Sequence, residues 1–326
     1  MAEESLTLWK ELEETSGEEL LLNIDCLTVY NGRSKEALKT LIPAMIESGL
    51  SYAKYTGTEA KEHFPLVNFD DESTVLHDTN SCALLARRCM MTLMRLFILK
   101  GGILRDGEKV TQVQPGVNVA LTTNKRSYTS KHVVLAPGPW ANDVLRLVDL
   151  HLPLKTLPAL PCYWKETIPG SHSNLNGMPM MLEYLDVQVG YQFIYAFPSI
   201  EYPGMIKVAT RGEPALDPMH PDNRDQQDRA KIINQLSNYI ENRLPGVEPT
   251  PAVTEGCMYT RTPDGNFVID RHPRFSNVLI AAGGSGHGFK MAPVVGKLVH
   301  ELLQGTSLSY SRDLFRWDRF NSMAKL

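Results

Sequence analysis

The chain has 326 residues, of which 43% are hydrophobic, and this predicts about two domains with a sizeable buried core. Its formal net charge is −4, which excludes the basic field that binds nucleic acid. Five scattered cysteines without a CxxC pair favour a reducing compartment and exclude the common zinc sites. No apolar run reaches the length of a membrane span, and the acidic, amphipathic start resembles neither a signal peptide nor a mitochondrial presequence.

The first half of the chain alternates helical and strand patterns. A capping box at Thr56 and Glu59 predicts a short helix that ends before Pro65. Amphipathic spacing predicts further helices at 6–19, 34–48, 81–99 and 141–148. Alternating or continuous apolar runs predict strands at 22–29, 103–113, 117–122 and 126–136.

The middle of the chain is rich in strand patterns. Alternating side chains predict antiparallel strands with one occupied face, at Tyr191, Phe193, Tyr195 and Phe197, and then at Ile206 and Val208 around Lys207. A polar helix is predicted at 222–244, closed by Pro245 and Gly246. The sequence therefore interleaves α/β pieces with a β-rich middle.

The stretch 257–290 gives the strongest indication of a ligand site. Residues 277–282 form a short apolar run, as expected of a buried parallel strand. A helical pattern follows a loop that contains Gly283, Gly284, Gly286 and Gly288. This arrangement favours an anion or a polar cofactor at the helix N-terminus, although a tight turn without a ligand has the same pattern. The run VVLAPGPW also ends in a turn, so two buried strands predict one α/β layer.

Four side chains near these elements could carry chemistry. Lys290 follows the loop at the predicted start of a helix, where its positive charge is unfavourable beside the positive end of the helix dipole. A bound carboxylate would relieve this repulsion; a lysine that reaches solvent is the alternative. Lys207 lies mid-strand and faces either solvent or a cavity, where it would become a tunable charge. Cys257 and Tyr259 share one face of an extended segment. The alternative is that both are ordinary core residues without a chemical role.

Two familiar motifs are not matched. The segment Gly283-Gly284-Ser285-Gly286-His287 differs from the GxSxG elbow of hydrolases at its last position. The dinucleotide fingerprint GxGxxG is absent from the sequence. Ser285 is therefore not expected to act as a nucleophile.

Two segments together form a pattern that is specific to one protein family. They are CMYTRTPDGNFVIDRHP, which begins at Cys257, and NVLIAAGGSGHGFKMAPVVGKL, which begins at Asn277. With EYPGMIKV, CYWKETIPGS, VVLAPGPWAND and GGILRDGEKV upstream, they closely resemble the monomeric sarcosine oxidase family of FAD-dependent amine oxidases. The resemblance covers essentially the whole chain. It is greatest to the animal peroxisomal sarcosine oxidase and L-pipecolate oxidase branch of that family.

The resemblance implies an α/β plus α+β fold. An incomplete Rossmann-like FAD-binding domain, of the glutathione-reductase-like type, would be interleaved with an antiparallel-sheet substrate domain. The FAD-binding domain would comprise residues 1–20, 79–150 and 259–326, and the substrate domain residues 21–78 and 151–258. The family's opening βαβ unit with its GxGxxG loop has no match, and Met1 is expected to fall after it.

The resemblance also implies the roles of particular residues. Cys257 matches the cysteine bonded covalently to the flavin, and Lys290 a lysine that holds the substrate carboxylate. Tyr259 matches an active-site tyrosine, and Lys207 the lysine at which oxygen is activated. The other matched positions contact FAD, and they are Val110, Gly138, Trp140, Gly283, Gly284, Gly286, His287 and Gly288. No metal ligand is expected. Arg211 stands where the family has a histidine.

The implied reaction is oxidation of the C–N bond of a secondary-amine amino acid of the sarcosine, L-pipecolate or L-proline type. FAD and O2 would give an imine and hydrogen peroxide, with the small amino acid and O2 as partners of a monomer. The segment Ala324-Lys325-Leu326 nearly matches the Ser-Lys-Leu address and predicts recognition by the peroxisomal import receptor, and so a peroxisomal protein. A catalytically impaired, flavin-free binding or interaction protein is the alternative, because GxGxxG is absent.

Overall fold

The computed structural model describes residues 1–186, 191–211, 220–226 and 229–321. Within those residues the α-helices are α1 (Ala2–Ser16), α2 (Leu38–Glu47), α3 (Gly57–His63), α4 (Ala86–Leu99), α5 (Ala141–Arg146), α6 (Ala230–Arg243) and α7 (Ala292–Gln304). Over the same part of the chain the strands are β1 (Leu21–Asn23), β2 (Cys26–Tyr30), β3 (Ala53–Thr56), β4 (Thr74–Asp78), β5 (Cys82–Leu84), β6 (Val110–Gln114), β7 (Val119–Thr123), β8 (Ser127–Ser130), β9 (Val133–Leu135), β10 (Lys155–Ala159), β11 (Cys162–Glu166), β12 (Met180–Asp186), β13 (Tyr191–Tyr202), β14 (Met205–Arg211), β15 (Val247–Thr254), β16 (Cys257–Arg261), β17 (Val268–Arg271) and β18 (Val278–Ala282).

The largest sheet of the described residues has eight strands, in the order β15-β11-β14-β13-β12-β2-β4-β3. Neighbouring strands are antiparallel except β12 and β2, which are parallel. The register puts Lys207 of β14 opposite Phe197 of β13 and Tyr163 of β11. The antiparallel sheet that the sequence predicts for the middle of the chain is therefore confirmed.

The two faces of the eight-stranded sheet differ. On one face, the apolar side of α6 packs on Trp164, Met181, Ile194 and Ile206, all of them buried. Because successive side chains of a strand point to opposite faces, the other face carries the aromatic side chains of β12 and β13. Their rings follow one another with centroids 5.0 to 6.3 Å apart, and they belong to Tyr184, Phe193, Tyr195 and Phe197.

A smaller sheet contains β17, β18 and β9, and β18 runs parallel to β9 with Ile280 opposite Leu135. Helices α1 and α7 pack on one of its faces, through side chains such as Leu8, Val294 and Leu298. Helix α5 and strands β6 and β7 cover the other face. Strand β18 is buried on both faces, as its continuous apolar run predicts, whereas Val134 of the edge strand β9 is 37% exposed. The predicted α/β layer is confirmed.

Three predicted strands differ from the observed ones. The strand predicted at 126–136 divides into β8, which pairs with β7, and β9, which pairs with β18. Residues 22–29 divide into β1, which pairs with β5, and β2, which lies in the eight-stranded sheet, because the Ile24 N–H between them donates to Ser81. Strand β2 is buried on both faces, not one, since it lies inside that sheet. Of the predicted strand 103–113, only β6 forms, because its partner β7 ends opposite Val110.

Helix boundaries also differ from the prediction in places. The capping box at Thr56 and Glu59 is confirmed at the start of α3. The long polar helix predicted at 222–244 is described from Ala230 onward as α6, whereas Pro221–Gln226 is a 3-10 helix. Helix α4 begins at Ala86, later than predicted, because the residues before it form β5.

Helix α4 is largely exposed. It packs through Cys89 against Trp9 and Leu20. Much of its apolar surface is nevertheless exposed, and so is the segment after it: Met90, Met91, Leu93, Met94, Phe97, Ile98, Leu99, Ile103 and Leu104. Across the described residues, every helix is too short or too polar to cross a lipid bilayer.

Candidate functional site

A compact glycine-rich loop leaves β18 and leads into α7. Gly283 has a φ of +73°, and a Cβ at that position would lie 2.5 Å from the side chain of Thr262. Gly284 and Gly288 approach each other so closely that a Cβ on either would lie 3.1 to 3.2 Å from the other's Cα. The loop therefore requires glycine, because side chains at these positions would collide with Thr262 or with the loop itself.

Ser285 ties this loop to β16. Its Oγ accepts from the Thr262 N–H at 3.2 Å and donates to the Gly283 carbonyl oxygen at 3.0 Å. Its own N–H donates to the Thr260 carbonyl oxygen at 2.8 Å. The buried hydroxyl is thus used inside the loop, and β16 and the loop form one hydrogen-bonded unit.

Strand β16 carries Cys257 and Tyr259 on one face, as predicted. Cys257 lies opposite Ala159 of β10, and Tyr259 lies opposite Leu157. Residues two apart on a strand share a face. The Cys257 thiol is free and exposed, whereas Tyr259 is partly buried. A reactive side chain is therefore accessible on the same strand that is bonded to the glycine loop.

Lys290 lies in the turn that precedes α7, so the structure places it at the N-terminal end of a helix. Its side chain is exposed, and its carbonyl oxygen accepts hydrogen bonds from Ser5 and Trp9 of α1. His287, in the same turn, packs its ring edge-on against Phe267, with the centroids 5.0 Å apart. The His287 N–H donates to the Gly284 carbonyl oxygen at 2.9 Å, which closes the turn.

A second turn lies at the same edge of the small sheet. Because β9 and β18 are parallel, the segment after β9 emerges beside Gly283. Gly138 in that segment has a φ of +56°, and the Trp140 Nε1–H donates to Asp222 Oδ1 at 3.0 Å. Val110 lies elsewhere, at the start of β6, where it packs against the core formed with α5.

Lys207 projects from the eight-stranded sheet on the face that carries the aromatic rings. Its Nζ lies 2.7 Å from Glu201 Oε1 and 5.6 Å from the centroid of the Tyr163 ring. The side chain is 21% exposed. A carboxylate and a π-face both stabilise an ammonium group, so this arrangement holds a fixed positive charge beside apolar rings.

Sequence reasoning missed an acidic residue near this lysine. The Tyr163 hydroxyl donates to Glu255 Oε2 at 3.1 Å, and the Tyr202 hydroxyl donates to Glu255 Oε1 at 2.7 Å. Burial, together with the carboxylates of Glu201 and Glu255, raises the pKa of Tyr163, and its hydrogen bond to Glu255 raises the pKa of Tyr202. Both phenols therefore remain donors at neutral pH. The feature of the sequence that could have pointed to Glu255 is its position two residues before Cys257.

These elements fit an anionic cofactor. Two turns with bare glycine backbone meet at one edge of the small sheet, an exposed thiol lies on the bonded strand, and the N-terminal end of α7 attracts negative charge. The described residues contain no group of three His, Cys, Asp or Glu side chains that could hold a metal ion.

Comparisons with known proteins agree with this fit. A family model described as FAD dependent oxidoreductase matches residues 1–302. Peroxisomal sarcosine oxidase of Homo sapiens is 36% identical over 325 residues, which cover 100% of this chain and 82% of the relative. Monomeric sarcosine oxidase of Bacillus sp. (strain NS-129) is 28% identical over 316 residues, which cover 96% of this chain and 79% of the relative.

Solved structures show the same fold. NikD, an unusual amino acid oxidase essential for nikkomycin biosynthesis, superimposes in its open form with a TM-score of 0.83 and 21% identity over 97% of this chain and 81% of its own. Glycine oxidase from Geobacillus kaustophilus gives a TM-score of 0.77 and 17% identity over 96% of this chain and 80% of its own. The motif resemblance to the sarcosine oxidases is confirmed, and the chain belongs to the family of FAD dependent oxidoreductases.

Proposed function

We propose that this protein oxidises the C–N bond of a secondary-amine amino acid of the sarcosine, L-pipecolate or L-proline type. The products are an imine and hydrogen peroxide, and O2 is the terminal acceptor. The observation that carries the proposal is that the glycine loop is hydrogen-bonded to β16, the strand that carries the exposed Cys257 thiol. Relatives named sarcosine oxidase support the reaction class. FAD, when bound, supplies the hydride acceptor and the route of electrons to O2.

The cofactor-binding residues come from three parts of the chain. Cys257 bonds covalently to the flavin, which its exposure on β16 permits. Gly138 and Trp140 bind FAD at the turn after β9, and Val110 contacts it from the start of β6. Backbone of the loop approaches the flavin ring, at Gly283, Gly284, Gly286, His287 and Gly288.

Lys290 binds the substrate carboxylate. Its ammonium group is a compact point charge on an exposed side chain, and the N-terminus of α7 behind it adds partial positive charge. Tyr259, two residues from the proposed anchor and on the same face, orients the bound amino acid. The aromatic face of the eight-stranded sheet excludes water and packs against the apolar part of the substrate.

Lys207 is the proposed site of oxygen activation. As O2 is reduced, negative charge develops on it, and a fixed cation among apolar rings stabilises that charge more than it would in water. Glu201 holds the Lys207 ammonium group in place, and Glu255 holds the hydroxyl of the neighbouring Tyr163. Arg211 ends β14, and its side chain lies outside the described part of the structure.

The organisation of the chain follows the same proposal. Residues 1–20, 79–150 and 259–326 form the FAD-binding domain, and residues 21–78 and 151–258 the substrate domain, which the separate small and large sheets support. Relatives named monomeric support a monomer, and relatives named peroxisomal support import into peroxisomes. The tripeptide Ala324-Lys325-Leu326, the proposed address for the import receptor, lies outside the described residues.

A family match over residues 1–302 does not favour the alternative of a flavin-free interaction protein. One experiment separates the two. Purified protein is assayed for hydrogen peroxide with sarcosine, L-pipecolate and L-proline, and its flavin absorbance is recorded. Peroxide release with at least one of these substrates is expected. Colourless protein that releases none, even after incubation with FAD, would contradict the proposal.

A further inference from the structure

Two side chains of α1 converge on one backbone atom of the loop before α7. Ser5 Oγ lies 2.5 Å from the carbonyl oxygen of Lys290, and Trp9 Nε1 lies 3.1 Å from the same oxygen. Ser5 and Trp9 are each only 1% exposed. A carbonyl oxygen has two lone pairs, so two donors from a segment more than 280 residues away occupy both.

Further contacts hold α1 in this position. The Trp9 ring stacks on Phe289 with the centroids 5.7 Å apart and the planes 20° apart. Glu4 pairs with Lys297 of α7 and accepts from the Tyr310 hydroxyl at 2.7 Å. Helix α1 is therefore anchored on α7 independently of its bonds to Lys290.

The Lys290 side chain has little else to fix its direction. It is exposed and ends in a freely rotating ammonium group, so packing around the side chain cannot orient it. The backbone of residue 290 is what the rest of the protein can control. A bonded carbonyl and a stacked neighbour at position 289 together set the direction in which the side chain leaves the loop.

We propose that Ser5 and Trp9 are positioning residues for Lys290. By fixing its carbonyl group they hold the loop so that the ammonium group faces the substrate carboxylate. The inference rests on the proposed function in one respect, namely that Lys290 binds that carboxylate. It predicts that loss of either donor weakens carboxylate binding and leaves the chemical step unchanged.

The test compares four single variants of the flavin-loaded protein. Trp9→Phe keeps the stacking ring and removes the donor, and Ser5→Ala removes the hydroxyl, whereas Ser5→Thr retains it. Thr7→Ala is the matched control, since Thr7 is exposed on the same helix and bonds only locally, to Glu3. The readouts are KM and kcat for the amino-acid substrate, the Kd of acetate as a minimal carboxylate, and hydrogen exchange of residues 286–291.

Trp9→Phe and Ser5→Ala are expected to raise KM and the acetate Kd about five- to tenfold, since one hydrogen bond contributes about 1 kcal/mol. Exchange of the loop amides becomes faster in both, and kcat stays within about twofold. Ser5→Thr and Thr7→Ala behave like the wild type. Unchanged acetate binding and exchange in Trp9→Phe and Ser5→Ala would overturn the proposal, as would an equal fall in kcat.

Lys290→Met separates this inference from the proposed function. It should weaken acetate binding at least as much as Trp9→Phe does. If it leaves acetate binding unchanged, the positioning role of Ser5 and Trp9 is overturned together with the role of Lys290. The amine oxidase function itself is then judged separately, by flavin content and peroxide release.

Discussion

The eight-stranded sheet and the small mixed sheet of β17, β18 and β9 bury their side chains in different ways. The large sheet is closed on one face by α6 and presents aromatic rings on the other. Elements pack on each face of the small sheet, but Val134 of its edge strand β9 is 37% exposed, and α4 leaves a broad apolar surface exposed. The large sheet therefore has a closed core on one face, whereas the small sheet is more open at β9. The turns that we propose for the cofactor follow β9 and β18.

The largest expected effect lies in the core of the eight-stranded sheet. Trp164 is completely buried beneath α6. Trp164→Ala should lower the free energy of unfolding by about 3–5 kcal/mol, because it leaves a cavity that the sheet cannot close. Urea denaturation followed by circular dichroism measures this. Trp140→Ala, at a partly exposed tryptophan of the cofactor turn, is the control and should cost much less; equal losses would break the comparison.

The second-largest effect on the free energy of unfolding is expected for the buried charges beneath the same sheet. Arg243 bonds both oxygens of Asp70, at 2.9 and 2.5 Å, and lies 3.0 Å from Oε1 of Glu183, which is completely buried. Arg243→Met should destabilise the protein by about 3 kcal/mol, because Glu183 then loses its counter-ion inside the protein and keeps the hydrogen bond from Asn31. Chemical denaturation at neutral pH tests this. A loss no larger than that of Asp70→Asn would contradict it.

The same ion pair predicts a pH dependence. The hydrogen bond from Arg243 lowers the pKa of Asp70 below its ordinary value of 3.8. A carboxyl group with a lowered folded pKa adds stability above its unfolded pKa and loses it as the pH falls through the folded pKa. The stability difference between wild type and Asp70→Asn should therefore shrink in acid. A difference that grows below pH 3.8 would have the wrong sign.

The aromatic face of the large sheet should matter for oxygen chemistry. Lys207→Met should slow reoxidation of the reduced flavin about a hundredfold, because it removes the cation that we propose stabilises the forming anion. Stopped-flow mixing of reduced protein with O2 measures the rate. Glu201→Gln keeps the cation and removes its counter-charge, so it should slow reoxidation far less or speed it. Equal slowing in both variants would show that the ion pair, and not the cation, is what matters.

The smallest effect on stability is expected on α4. Met91 is 61% exposed, so Met91→Gln should change the free energy of unfolding by less than about 0.5 kcal/mol. Self-association, measured by analytical ultracentrifugation, should nevertheless decrease, because exposed apolar patches promote association. A large loss of stability would show that α4 is covered in solution and would weaken the contrast between the two regions.

The sequence was sufficient where one local rule determined the structure. The apolar run before the glycine loop predicted a buried parallel strand, and β18 is buried and runs parallel to β9, although it is antiparallel to β17. The alternation around Lys207 predicted its side of the sheet. The pairing of Cys257 and Tyr259 on one face followed from the same period of two.

What sequence reasoning missed depends on distant partners. Nothing local to α1 shows that Ser5 and Trp9 reach the carbonyl of Lys290. The interruption of the strand predicted at 22–29 depends on a bond to Ser81. Glu255 accepts from tyrosines of β11 and β13, which meet it only through the order of strands in the sheet.

The central claim, a flavin attached at Cys257, has one direct test. The purified protein is digested, and the mass of the peptide that contains Cys257 is measured, with Cys257→Ser and Cys82→Ser as variant and matched control. The account predicts a peptide heavier by the mass of bound flavin in wild type and Cys82→Ser, and no such peptide in Cys257→Ser. An unmodified Cys257 peptide from flavin-loaded, peroxide-producing protein would contradict it.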